Sequence, residues 1–267
     1  MNRIVALLGK ELADLRGNPA VFVSAIITGI VSILMPFVIA VVVPYLTGER
    51  LSDSSDFRIA LEMYRDQPAA RSLDPEGAIQ AMIFQQFLIL LVLTPVAGAM
   101  SVAAYAVVGE KQARTLEPLL ATPLTTFELL AGKILGALLP GLVLVTVCFM
   151  LYVGGIALLA RPGVYRTLFF PRALLTMFLL GPLASLAALQ MAVCVSSRSN
   201  DARSAQQVGA LIILPISALL VAEVTNNVQL TSRVILLVSL FMAVLNAALM
   251  AIGVRLFDRE SILTRWK

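Results

Sequence analysis

Side chains able to make or break bonds are scarce in this 267-residue chain, and its polar groups gather in one short island, residues 109–133, which reads GEKQARTLEPLLATPLTTFELLAGK. The island opens with an ionic cluster, Glu110, Lys111 and Arg114. Thr115 is placed to cap a short apolar turn, 116–120, and Pro123 stops that turn. Thr125 and Glu128 then form a second start signal, the Ser/Thr-x-x-Glu capping box. A short helix between two capped helices is chemistry for docking, with apolar Leu116, Leu119 and Leu120 rimmed by charge.

Other chemistries lack their parts. The chain has no histidine, and its two cysteines, Cys148 and Cys194, fall in separate apolar segments. No zinc site and no histidine-activated nucleophile is expected, and the cysteines read as small packing residues. A phosphate-binding loop, Gly-x-x-x-x-Gly-Lys-Ser/Thr, is missing: Gly132-Lys133 has Phe127 where the first glycine belongs, and Gly9-Lys10 has Ile4. No catalytic, cofactor-binding or metal site is therefore expected on this chain, and it cannot be its own nucleotide motor. The net charge of +4 is spread thinly and gives no footprint for nucleic acid.

The elements that position the island follow from hydropathy. Hydrophobic residues make up 59% of the chain and charged ones 13%, about half the charge of a soluble domain. The mean hydropathy is +0.92. Segments 20–43, 79–108, 134–160, 173–195, 208–222 and 234–257 each approach the roughly 20 apolar residues that a helix needs to cross about 30 Å of hydrocarbon. The fifth is the shortest. Runs such as LIILPISALLVA do not alternate, which excludes a barrel. The expectation is an all-α membrane protein, one domain with six transmembrane helices.

Residues 1–17 precede them as an amphipathic helix, with Ile4, Leu8, Leu12 and Leu15 on one face and Arg3, Lys10, Glu11 and Asp14 on others. Those charges interrupt the apolar core that a cleavable signal requires. Asn18 and Pro19 read as the cap and first residue of the first span. Residues 44–78 form the longest connection, with a short helix over 56–65 and a new start at Asp74-Pro75. Counting Lys and Arg, roughly twelve lie on the side holding the termini and the island, against eight on the other, which favours N-in and C-in. A helix from Thr125 to about residue 160 would be roughly 50 Å long, so Glu128 and Lys133 should project into the cytoplasm.

Within the spans, Gln85, Gln86, Gln190 and Asn246 are expected to hydrogen-bond between helices. Glu223, at the end of the fifth span, is the one carboxylate near a span interior and reads as interfacial. Pro36, Pro95, Pro140, Pro182 and Pro215 punctuate the spans, and Gly132 and Gly136 make a small-xxx-small step for close helix contact.

The series E-K-x-x-x-T-L-E-P-L-L-A-T-P-L-T-x-x-E-L-L-x-G-K, Glu110 to Lys133, resembles the permease subunits of type-2 ATP-binding-cassette exporters. Residues 196–199 (SSRS) with 202–211 (ARSAQQVGAL), and the ending Phe257-Asp258-Arg259-Glu260, are similar to later parts of the same family. The resemblance implies two six-span permeases, identical or not, working with two copies of a separate cytoplasmic ATPase that holds the ATP and Mg. It makes the N-terminal helix the family's elbow helix. It assigns Thr115, Leu116, Glu117, Leu119, Leu120 and Pro123 to a coupling helix entering a cleft on the ATPase, with Glu110 and Arg114 at its entry. The chain most resembles the short bacterial branch associated with sodium extrusion and antibiotic efflux, in the inner membrane. Only 7% of its residues are aromatic, against the aromatic-lined channel of the glycan-exporting branch.

Two other classes compete with the exporter permease. A self-contained channel or gradient-driven carrier would pass solute without ATP, although a coupled carrier lacks midplane carboxylates here. A membrane scaffold would recruit a partner through the island and transport nothing. An enzyme finds no supporting constellation.

Overall fold

The computed structural model describes residues 2–16, 20–53, 73–112, 125–198, 207–224 and 231–256. All regular structure among them is helical. The long elements are α1 (Asn2–Arg16), α2 (Ala20–Phe37), α3 (Pro75–Gln112), α4 (Thr126–Leu159), α5 (Gly181–Arg198), α6 (Ile213–Val224) and α7 (Ser232–Leu256). Five helical segments are long and apolar enough to cross a membrane: Ala25–Thr47, Pro75–Val96, Thr126–Leu159, Pro171–Ser196 and Ser232–Leu256. The expected fifth span is present as a shorter apolar helix, in which a 3-10 turn, Ala210–Ile212, leads into α6.

α3 is the axis of the bundle and packs against α2, α4 and α5, while α7 lies along α5 and α1 along α4. Its sequence is apolar on nearly all sides, as a buried helix requires, and Ala81, Phe84, Leu91, Val92 and Val96 are fully enclosed. On the outer helices one face is left apolar and exposed, as with Ile26, Ile30 and Leu34 of α2, Val143, Val147 and Met150 of α4, and Leu237, Phe241 and Val244 of α7. Those faces suit lipid tails as solvent.

The bundle has two ends of different character. At the end away from α1, polar side chains of α3 stitch the loops. Asp74 caps the helix, its Oδ1 accepting from Gly77 N at 3.1 Å, with Pro75 as first residue, as the sequence signals. Glu76 accepts from the backbone N–H groups of Leu51 and Ser52 at 3.2 and 3.1 Å. One turn on, Gln80 donates to Ala40 O at 3.0 Å and accepts from Arg161 N at 2.8 Å. The first of these bonds has a cause in sequence: Pro44 has no N–H to offer the carbonyl four residues before it. The chain there widens into a π turn, Val38–Val42, and Gln80 supplies the missing donor from another helix. Beneath this network, Tyr152 meets Phe37 and Phe84 edge to face at 5.8 Å, and the two phenylalanine rings lie tilted with centroids 5.0 Å apart. The Tyr152 hydroxyl donates to Phe84 O at 2.9 Å.

Of the expected polar anchors, Asn246 crosses from α7 to Leu183 O of α5 at 3.0 Å, and Gln85 donates to Thr167 O at 3.2 Å. Gln86 is half-buried, and Gln190 is buried with its Oε1 unpartnered among the described residues. Two prolines lie beside wide turns: Pro36 just precedes the first π turn, and Pro182 just follows a second, Thr176–Leu180. Both cysteines are free thiols. The helix expected over 56–65 and the start signal at 18–19 lie outside the described residues, as does the side chain of Glu223.

Gln80→Met tests the stitching. It leaves the enclosed Ala40 O without its donor, at about 1–3 kcal/mol, and frees Arg161 N, which lies at an exposed residue. The detergent-solubilised protein should unfold at clearly lower temperature than the parent, and an unchanged midpoint would show the two bonds to be dispensable.

Candidate functional site

The end of the bundle that carries α1 holds the start of α4, the last turns of α3, and the inner halves of α5 and α7. Leu7, Leu129, Leu130, Ile134, Ala137, Leu189, Ala192 and Val193 form its core, with Met250 and Val254 packed on it. Both helices that flank the polar island terminate here. α3 runs through Glu110 to Gln112, so Glu110 lies in its last turn. The remaining expected docking residues, Arg114, Thr115, Leu116, Glu117, Leu119, Leu120 and Pro123, lie outside the described residues.

At the other end of the island the second start signal forms as its spacing predicts. Thr125 Oγ1 accepts from Glu128 N at 3.2 Å, and the Glu128 carboxylate accepts from Thr125 N at 2.8 Å, closing the capping box. Two of the N–H groups that a helix start leaves without partners are thereby satisfied. The carboxylate also lies where the helix dipole favours negative charge.

Further along α4, the structure departs from expectation. Lys133 does not project into solvent: it is 2% exposed. Its Nζ donates to Glu11 Oε1 of α1 at 3.1 Å, and Glu11 is itself 6% exposed. Lys10, on the solvent side, approaches Glu11 at 3.7 Å and Asp14 at 3.4 Å. α1 therefore meets the protein through Leu7 and Glu11, while Leu8 and Leu12 of the expected apolar stripe are only half-buried beside that face.

The reason is the pair of glycines. A Cβ on Gly132 would overlap the Leu7 side chain, and one on Gly136 would come within 2.6 Å of Glu11 Cβ. The small-xxx-small step is a groove in α4 that admits α1 at close range, and Lys133 lies beside it. Since Leu7 meets Gly132 and Glu11 meets Gly136, the two helices run parallel. Burying both charges is costly unless each is matched, and removing one partner of such a pair costs about 3–5 kcal/mol. No sequence signal links Glu11 to Lys133, 122 positions apart. The glycine step was legible, but its partner helix was not.

Two small cavities of about 10 Å3, each room for roughly one water, lie along α3. One is apolar, between Ile89, Val92, Leu180, Leu219 and Ile235. The other is bordered by Gln85, Arg172 and Thr176, and the buried Oε1 of Gln85 has no partner among the described residues.

Two substitutions probe this end. Thr125→Ala removes the cap at about 1 kcal/mol, so exchange of the amides in the first turn of α4 should rise roughly fivefold; unchanged protection would mean that packing alone holds the turn. Gly136→Val overfills the groove, a change that costs about 1–3 kcal/mol in a packed core. It should lift α1 and speed tryptic cleavage after Lys10 while the other helices stay resistant.

The family model of the ABC-2 family transporter protein matches residues 5–246, which reaches from α1 into α7. No curated protein matches the sequence. Taken with a helical bundle whose long apolar helices suit a membrane, the match assigns this chain to the ABC-2 transporter family, as one of its membrane-spanning permeases.

Proposed function

We propose that this permease forms the solute path of an ATP-driven exporter and receives its driving force through residues 113–124. The observation that carries the reading is the length and placement of the helices on either side of that segment. α3 has 38 residues and α4 has 34, or about 57 and 51 Å at 1.5 Å per residue. Both exceed the roughly 30 Å hydrocarbon thickness by several turns. The segment between them is thus carried on two stiff rods that continue into the centre of the bundle, and a push on it is a push on the axis helix.

In this reading the driving force comes from a separate cytoplasmic ATPase present in two copies, which binds the ATP and Mg. Thr115, Leu116, Glu117, Leu119, Leu120 and Pro123 enter its cleft, with Glu110 and Arg114 at the rim. A second permease, identical to this one, completes the path. The chain lies in the inner membrane with both ends inside, α1 acts as an elbow helix along the membrane surface, and the direction is efflux, as in the short bacterial branch.

Replacing Leu119 and Leu120 together with Asp tests the route. The apolar anchors of a docking patch dominate its energy, so the ATPase should no longer copurify, while the permease inserts and remains monodisperse. Retention of the ATPase with coupled ATP hydrolysis would remove the segment from the interface.

A further inference from the structure

We propose that the Glu11–Lys133 pair is a register lock that makes α1 and the first turns of α4 one rigid body, so that α1 moves with the helix that receives the driving force. This rests on the coupling reading above for its purpose, but not for its geometry.

The geometry separates two jobs. Gly132 and Gly136 let α1 approach closely, yet a groove so short does not by itself fix where α1 stops. One turn of slip would bring Glu11 over Gly132 or Leu7 over Gly136. Such a slip moves α1 by about 5 Å along α4. Lys133 distinguishes the registers. Its Nζ is enclosed and 3.1 Å from Glu11 Oε1, and a slip would leave both charges buried without each other. A buried charged contact that specifies register at a cost in stability is a known use of such pairs. Lys10 adds a second positive charge 3.7 Å from the same oxygen, at the edge where α1 meets solvent.

α1 and α4 thus share a start: the capping box fixes the first turn of α4, and two turns later the lock fixes α1 to it. Any rotation of α4 driven from the segment before Thr125 must carry α1 along.

The test is a distance between spin labels at Ala13→Cys and Phe127→Cys, both exposed positions, in the full chain with Cys148→Ala and Cys194→Ala. A second label pair, Val143→Cys with Leu237→Cys, reports whether the rest of the bundle is intact. The parent should give one narrow distribution. Lys133→Met should add a population displaced by about 5 Å, and the exchange Glu11→Lys with Lys133→Glu should restore the single peak. Because Lys133→Met leaves a buried carboxylate and can fail to fold, the double variant Glu11→Leu with Lys133→Met is measured beside it. It replaces the pair by apolar groups and should be as stable as the parent but still show two populations, which a purely stabilising role would not produce. A single parent-like peak in the apolar double variant, or two populations in the charge exchange, overturns the lock. ATPase copurification is followed in parallel: it should persist in the Lys133 variants and be lost only with Leu119→Asp and Leu120→Asp. A failure of that second result counts against the coupling route and leaves the measured distances to decide the lock on their own.

Discussion

A backbone carbonyl facing hydrocarbon has no water to turn to, and the far end of this bundle is organised around that constraint. Each proline that bends a span leaves a carbonyl short of a donor, and the bend survives only where a neighbour supplies one. Gln80 does this for Ala40, opposite the missing N–H of Pro44, and uses its other end to hold Arg161 N. The same side chain therefore joins the π turn of the first span, the axis helix and the loop after α4. Tyr152 and Glu76 extend the pattern above and below it. Every one of these bonds involves the first three turns of α3, which is why that end of the bundle behaves as a knot.

The opposite end is built on another principle. Its core is smaller, its side chains are mostly Leu, Ala and Val, and its distinctive contact is between a surface helix and a glycine groove. Close packing there depends on the absence of two Cβ atoms and on the matched charges of Glu11 and Lys133. In the coupling reading proposed above, α1 and the first turns of α4 move together, the knot resists displacement at the far end, and the movement is taken up between the two. Pro140 and the contact of Gly141 with Pro95 O, 3.4 Å from a Cβ placed there, fall in that middle zone.

Much of this was legible in the sequence because the signals are local. Spans follow from hydropathy, and the starts at Asp74 and Thr125 follow from cap residues at fixed spacing. The glycine step at 132 and 136 also announced a close contact. What escaped sequence reasoning is non-local. Lys133 lies in a helix that outruns the membrane, and depth alone assigns it to water; its burial depends on α1, whose position no periodicity specifies. Likewise the apolar stripe of α1 suggested a face for lipid, but the face that meets protein is the neighbouring one, chosen by the groove. The π turns were hidden for a related reason, since a proline marks a missing bond without saying whether the chain will kink or widen.

The helix in the fifth position carries an irregularity of a related kind. The described helix runs from residue 207, passes through a 3-10 turn at Ala210–Ile212 and meets Pro215 three residues into α6. Pro215 has no N–H to offer the carbonyl of residue 211 four positions before it, and the irregular turn lies at that place. Among the described residues the helical run covers 207–224, with the α-helical stretch Ile213–Val224 following the 3-10 turn. Leu219 of this helix lines the apolar cavity against Ile89, Val92 and Leu180.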